Sequence, residues 1–109
     1  MTVKSLTGVL DTNVIIGLAK GECFEQLSHL FSTLLIPPEV RREVLAQPPE
    51  RAGVSELSRA LGTWIIEETP PFLLVQQLPA KFALADREVM ALAEGRKVDY
   101  LLTSDEAML

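Results

Sequence analysis

Four carboxylates are candidates for one shared metal site: Asp11, Glu43, Asp86 and Asp105. Asp11 directly follows a short apolar run, and Asp105 comes two residues after another. Asp86 begins an amphipathic segment, and Glu43 lies on one. Carboxylate oxygens are the ligands that the hard cations Mg²⁺ and Mn²⁺ prefer. Because a bound divalent ion lowers the pKa of its water and polarises phosphoryl oxygens, such a cluster would suit the hydrolysis of a phosphate ester.

The same acids also have a purely structural interpretation. Aspartate is a preferred helix N-cap, and Asp11, Asp86 and Asp105 all lie near expected helix starts. The T-S-D-E stretch that begins at Thr103 fits a capping box. Glu43 would be an ordinary solvated residue if it paired with a nearby arginine. Residue spacing alone leaves both interpretations open.

Short apolar runs alternate with helical patterns along the chain. The runs predict buried strands at Leu6–Leu10, Thr33–Ile36, Thr63–Ile66 and Tyr100–Thr103. Six segments have a helical pattern: Asn13–Lys20, Glu22–Phe31, the stretch between Pro37-Pro38 and Pro48-Pro49, Gly53–Leu61, the stretch after Pro70-Pro71, and Asp86–Glu94. Gly95 is expected to end the last of these helices. This alternation predicts an α/β fold with a mainly parallel sheet. Since ligands bind beyond the carboxyl ends of parallel strands, Asp11 and Asp105 are expected at one edge.

Composition limits the class of protein. A chain of 109 residues with 48% apolar and 23% charged residues is expected to form one globular domain. The single cysteine, Cys23, excludes an intrachain disulfide framework and favours a reducing compartment. Apolar runs are too short to span a bilayer, and the N-terminus does not resemble a signal peptide, so we expect a cytoplasmic protein without a membrane anchor.

The net charge of −5 argues against a simple nucleic-acid binder, because such proteins usually present a basic face. The objection weakens if the four candidate acids surround divalent cations, since the ions invert the local charge. The rest of the chain is then nearly neutral. No other catalytic pattern competes well. The only histidine is His29, and P-loop, dinucleotide and zinc-binding motifs are absent from the sequence.

Four stretches together resemble the PIN-domain family of metal-dependent ribonucleases. They are V-L-D-T-N-V-I-I-G-L-A-K at residues 9–20, I-P-P-E-V-R-R-E-V at 36–44, L-A-D-R-E-V-M-A-L-A at 84–93 and Y-L-L-T-S-D at 100–105. They occur in the family order and roughly at family spacing, and the resemblance covers nearly the whole chain. The set of four is much more specific than any one of them.

The resemblance implies a three-layer α/β/α fold around a central, mainly parallel sheet. Residues 1–109 would form a single PIN-like domain. The resemblance also implies that Asp11, Glu43, Asp86 and Asp105 meet at one sheet edge and hold one or two Mg²⁺ or Mn²⁺ ions.

Other residues are expected around this cluster. Asn13, Thr103 and Ser104 match polar positions that usually support the acids or their waters. Arg87 is a candidate phosphate contact because it neighbours Asp86. Glu88 lies two residues after Asp86, so on a helix it points away from that acid, and we leave it out of the cluster.

The implied activity is that of a metal-dependent endoribonuclease that cleaves RNA phosphodiesters, as the toxin of a VapC-like toxin–antitoxin pair. The implied partners are an RNA substrate, a second copy of the chain in a homodimer, and a small antitoxin. The antitoxin would block the acidic site by inserting an arginine near the carboxylates.

One departure from the family pattern keeps a second function open. PIN domains usually continue for a few dozen residues past the last acid, adding a helix and often a strand, whereas four residues follow Asp105 here. A PIN-like domain lacking that helix and strand could instead be a non-catalytic protein-interaction module. Metal affinity discriminates the two functions, because only the nuclease requires it.

Overall fold

The structure is a computed structural model and describes residues 5–104. Its strands are β1 (Thr7–Leu10), β2 (Thr33–Ile36), β3 (Ile65–Glu67) and β4 (Tyr100–Leu102). Its α-helices are α1 (Thr12–Lys20), α2 (Leu27–Leu30), α3 (Pro38–Leu45), α4 (Val54–Ala60), α5 (Phe72–Gln77) and α6 (Leu84–Arg96). A 3₁₀ turn, Phe24–Gln26, precedes α2.

The four strands form one sheet in the order β3-β2-β1-β4, and every pairing is parallel. In the centre, Val9 of β1 lies opposite Leu35 of β2 and Leu101 of β4. Helices connect the strands and cover the sheet, which confirms the predicted three-layer α/β architecture. Because all four strands run the same way, the residues that follow β1, β2 and β4 emerge at one edge.

The two central strands form the middle of the core. Val9, Leu10, Leu34, Leu35 and Ile36 are all almost fully buried, so both faces of these strands are covered. Helices pack further apolar side chains against them, among them Ile15, Val40, Val44, Leu57, Val89 and Leu92. Truncating one such leucine or isoleucine to alanine typically costs about 2–5 kcal/mol. This rigid core holds the ends of β1, β2 and β4 in fixed positions.

The helix predicted at Glu22–Phe31 begins later than expected. The chain turns at Glu22, whose φ is +58°, and the 3₁₀ turn begins only at Phe24. Phe24 and Leu27 are buried as the pattern predicted, but Leu30 is 62% exposed, because α2 ends there after a single turn. Because α2 is so short, the predicted apolar face does not continue through Leu30.

The helix predicted at Asp86–Glu94 is longer at both ends. It begins at Leu84 and continues through Gly95 to Arg96, with Lys97 in the left-handed conformation at its C-terminus (φ +51°). Gly95 therefore does not end the helix. A Cβ at this position would lie 3.0 Å from Cγ of Pro71, so the glycine allows the start of α5 to pack closely against the end of α6.

No helix within residues 5–104 is both long enough and apolar enough to cross a membrane.

Candidate functional site

Three of the predicted acids line one cleft at the carboxyl edge of the sheet. Asp11, Glu43 and Asp86 border a cavity of about 220 Å³. They come from three separate elements: the end of β1, the middle of α3 and the first turn of α6. Asn13 lines the same cleft, and Val40 and Val89, both fully buried, contribute apolar surface to it. Asp105, the fourth predicted acid, lies outside the described residues.

Asp11 has a structural role and also lines the cleft. Its backbone is extended, and its Oδ1 accepts a hydrogen bond from the backbone N–H of Val14 at 2.8 Å, which caps α1. Such a cap contributes about 1 kcal/mol. Its backbone N–H donates to the carbonyl of Leu102 at 3.2 Å, which ties the ends of β1 and β4 together. The N-cap interpretation of Asp11 is therefore correct, and it does not compete with a role in the cleft.

The environment of Asp11 is unusual for an acid. Its exposed fraction is 4%, and within residues 5–104 it is the one charged side chain that is buried. Thr103 donates its hydroxyl to Oδ2 of the carboxylate. None of the ion pairs formed among the described residues involves Asp11. Because a buried carboxylate is costly without a charged partner, a cation beside Asp11 would be strongly stabilised.

Glu43 approaches the cleft from α3. Its Oε1 accepts a hydrogen bond from the Thr12 hydroxyl at 2.6 Å. The alternative that Glu43 pairs with an arginine fails within the part of the chain that the structure describes, since the ion pairs there leave it out. Thr12 is not among the residues predicted from the sequence. Its position directly after Asp11 at a strand end was the only local signal, and the contact depends on where α3 packs.

Asp86 is not the N-cap of its helix. That position belongs to Ala83, whose extended backbone (ψ 158°) starts α6 two residues earlier than expected. Asp86 therefore lies in the first helical turn, where a carboxylate interacts favourably with the helix dipole. Ala83 and Ala85 line the cleft beside it. The start of α6 thus borders the same cavity as the end of β1.

The other predicted residues have different surroundings. Ser104 is exposed at the end of the described chain. Arg87 is half-buried on α6 and is not among the residues that line the cleft. Its Nε is buried without a hydrogen-bond partner among residues 5–104. The roles of Arg87 in phosphate binding and of Ser104 in supporting the acids stay predictions.

The donors around the cleft fit a hard divalent cation. They are carboxylate oxygens, an amide and hydroxyls, which is the ligand chemistry of Mg²⁺ and Mn²⁺. The cavity is several times larger than the ~30 Å³ that one water occupies in the liquid, so an ion could keep some of its waters. Within residues 5–104, however, no three histidine, cysteine, aspartate or glutamate side chains converge closely enough to hold one ion. The acids border a common cavity without being gathered around a single point.

The all-parallel sheet and the acidic cleft at its carboxyl edge define an α/β protein with a candidate ligand site at the strand ends. A family model described as the PIN domain matches residues 7–108, nearly the whole chain. The chain therefore belongs to the PIN-domain family, whose members are generally nucleases. Searches of curated proteins and of solved structures found no match.

Proposed function

We propose that this protein is a metal-dependent endoribonuclease whose active site is the cleft between β1, α3 and α6. One observation carries the proposal: Asp11 is almost fully buried, takes part in no ion pair among the described residues, and lines a cavity with two further acids. Carboxylates that border one cavity favour a cation there, because an opposite charge stabilises their ionised form. A divalent cation would supply that charge beside Asp11.

Asp11, Glu43 and Asp86 would hold the metal, with Asp105 as the fourth predicted ligand. A bound divalent ion supplies an activated water and neutralises charge that develops on the phosphate. The side chains beside the acids fix their positions: the Thr12 hydroxyl binds Glu43, and the Thr103 hydroxyl binds Asp11. Hydrogen bonds of this kind orient a ligand and tune its affinity for the ion.

The start of α6 supports a phosphate as the group that is acted on. The positive end of the helix dipole attracts anions, and the N-cap residue, Ala83, has no side chain that could bond to the first-turn N–H groups. A phosphodiester bound in this cleft would therefore lie near the positive end of the α6 dipole. RNA as the substrate, and a toxin–antitoxin pair as the setting, rest on the resemblance of the four sequence stretches.

The first test is thermal unfolding with increasing Mn²⁺, for the wild type and for Asp11→Asn. A ligand that binds only the native state stabilises it by about 2.7 kcal/mol at a hundred times its Kd. Asparagine caps helices as well as aspartate does, so the substitution removes the charge and keeps the cap. We expect a clear rise in the wild-type melting temperature and little rise in the variant. Glu25→Gln, on an exposed acid outside the cleft, is the matched control and should respond like the wild type.

A folded wild-type protein with no response to Mn²⁺ would contradict the metal site and favour the non-catalytic interaction module. If Mn²⁺ stabilises the protein, cleavage of single-stranded and structured RNA with and without Mn²⁺ tests the substrate class. Single- and double-stranded DNA of the same sequences are the comparison.

A further inference from the structure

Helix α3 begins with two prolines, and the first N–H group of the helix needs a hydrogen-bond acceptor from outside the helix. Pro37 is the N-cap and Pro38 the first helical residue, and neither has a backbone N–H. The N-cap also makes no side-chain hydrogen bond to the helix. Glu39 therefore carries the first N–H donor of α3, and helix ends need an acceptor from elsewhere for such groups.

That acceptor is a carboxylate from α6. Oε1 of Glu88 accepts a hydrogen bond from the backbone N–H of Glu39 at 3.2 Å, in a half-buried position between the two helices. The negative charge also faces the positive end of the α3 dipole, which makes the contact favourable. Glu88 thus caps a helix that is 49 residues distant in sequence.

This contact lies beside the acidic cleft. Val40 and Val89, which line the cleft, directly follow Glu39 and Glu88 in sequence. Asp86 lies two residues before Glu88 on the same helix, and α3 carries Glu43 one turn beyond Glu39. The contact therefore joins the two helices that bring these two acids to the cleft.

We infer that Glu88 is a positioning residue for the metal site: by capping α3 from α6, it sets the separation between Glu43 and Asp86. This inference rests on the proposed function for the metal, but the helix contact can be tested without it. Glu88 does not line the cleft, so its effect on the metal would pass through the two helices.

Three substitutions separate the hydrogen bond from the charge. Glu88→Gln keeps an oxygen that can accept from Glu39 and removes the charge. Glu88→Ala removes the acceptor, and Glu88→Asp keeps the charge on a side chain one methylene shorter. If the alanine variant does not fold, the aspartate variant still tests the reach of the side chain.

The chain offers a matched control in Glu56. Its Oε1 accepts a hydrogen bond from the backbone N–H of Gly53 at 3.0 Å, which caps α4. Glu56→Ala therefore removes the same kind of cap from a helix that does not line the cleft. Its loss of stability should resemble that of Glu88→Ala.

Two measurements decide the inference. The first is hydrogen exchange at the Glu39 amide by NMR, without metal. We expect faster exchange in Glu88→Ala and Glu88→Asp, and near-wild-type exchange in Glu88→Gln and Glu56→Ala.

The second measurement is the Mn²⁺ affinity by calorimetry, at a temperature well below the melting temperature of every variant. We expect a loss of at least ~10-fold in Glu88→Ala, the usual effect of removing a group that orients a ligand, and rescue in Glu88→Gln.

The outcomes also separate this inference from the proposed function. If the wild type binds no Mn²⁺, the metal site is contradicted and the positioning role falls with it, while the exchange data still show whether Glu88 joins the two helices. If the wild type binds Mn²⁺ and Glu88→Ala binds it equally well, only the positioning role is overturned. An equal loss of affinity in Glu56→Ala would also overturn it, because general destabilisation would then explain the effect.

Discussion

Two acidic clefts among residues 5–104 are similar in size and differ in how their acids are held. The first, of about 220 Å³, contains Asp11, Glu43 and Asp86. The second, of about 250 Å³, is lined by three glutamates and one arginine among its residues: Ala19, Glu22, Phe24, Glu25, Gln26, Glu56 and Arg59. Volume and acid count alone would not distinguish them.

In the second cleft two of the three glutamates, Glu25 and Glu56, have local partners. Glu56 accepts hydrogen bonds from the N–H of Gly53 and the hydroxyl of Ser55, and Glu25 lies 4.0 Å from Arg59. In the first cleft the lining residues that the structure describes include no lysine or arginine, and Asp11 is buried. The two clefts therefore differ most clearly at Asp11, a buried acid that forms no ion pair among the described residues.

Removing charge from the first cleft should have the largest effect. We expect Asp86→Asn to lower RNA cleavage by at least ~100-fold, because metal ions contribute several kcal/mol to transition-state stabilisation and each 1.36 kcal/mol is a factor of ten. Initial rates at saturating Mn²⁺ measure the effect.

Glu25→Gln in the second cleft should leave the cleavage rate within about twofold of the wild type. Equal losses of activity in Asp86→Asn and Glu25→Gln would contradict the distinction between the clefts, because cleavage would then depend on the overall negative charge of the protein.

A smaller effect is expected from the hydroxyl that holds Glu43. Thr12→Val removes the 2.6 Å hydrogen bond and keeps the shape of the side chain. Because groups that orient a metal ligand typically contribute 10–100-fold to affinity, we expect about a 10-fold weaker Mn²⁺ affinity by calorimetry.

Thr63→Val is the matched control for Thr12→Val. The Thr63 hydroxyl donates to the carbonyl of Ala60 at 2.7 Å, and Thr63 does not line the first cleft. Its Mn²⁺ affinity should equal that of the wild type. Unchanged affinity in Thr12→Val would mean that Glu43 is not a ligand or needs no orienting partner.

The sequence predicted the parts of this site that depend on local pattern. Asp11 could be placed because an acid directly after a buried parallel strand must emerge at the carboxyl edge. Glu43 could be placed on the helix after β2, because Pro37-Pro38 marks where α3 begins. The parallel direction of the sheet also followed from the alternation of short apolar runs with helices, whereas the strand order β3-β2-β1-β4 did not.

Contacts between helices could not be predicted in this way. The bond from Thr12 to Glu43 spans 31 residues, and the bond from Glu39 to Glu88 spans 49. Both depend on how α1, α3 and α6 pack on the sheet, which periodicity does not specify. The sequence analysis left Glu88 out of the acid cluster, and Glu88 does not line the cleft. Its contact with Glu39 depends on the packing of α6 against α3, which the sequence pattern does not specify.

The smallest expected effect concerns pH and the second cleft. Burial tends to raise the pKa of Glu56, but hydrogen bonds from its own N–H, from Gly53 and from Ser55, together with the charge of Arg59, outweigh this and lower it. A carboxylate whose pKa is lower in the folded state stabilises the fold above its unfolded pKa of about 4.3, and this contribution is lost as the pH falls through the folded value. Glu56→Gln keeps an acceptor for Gly53 and removes the charge.

We therefore expect Glu56→Gln to melt below the wild type at pH 7, by no more than about 4 °C, and the difference to shrink as the pH falls through the lowered pKa of Glu56. Thermal unfolding between pH 3 and pH 7 measures it. The difference at pH 7 should also persist when Mn²⁺ is added, since the charge of Glu56 is balanced by its neighbours and not by an ion. If Mn²⁺ removed the difference, the second cleft would also hold a cation, and the contrast between the two clefts would be wrong.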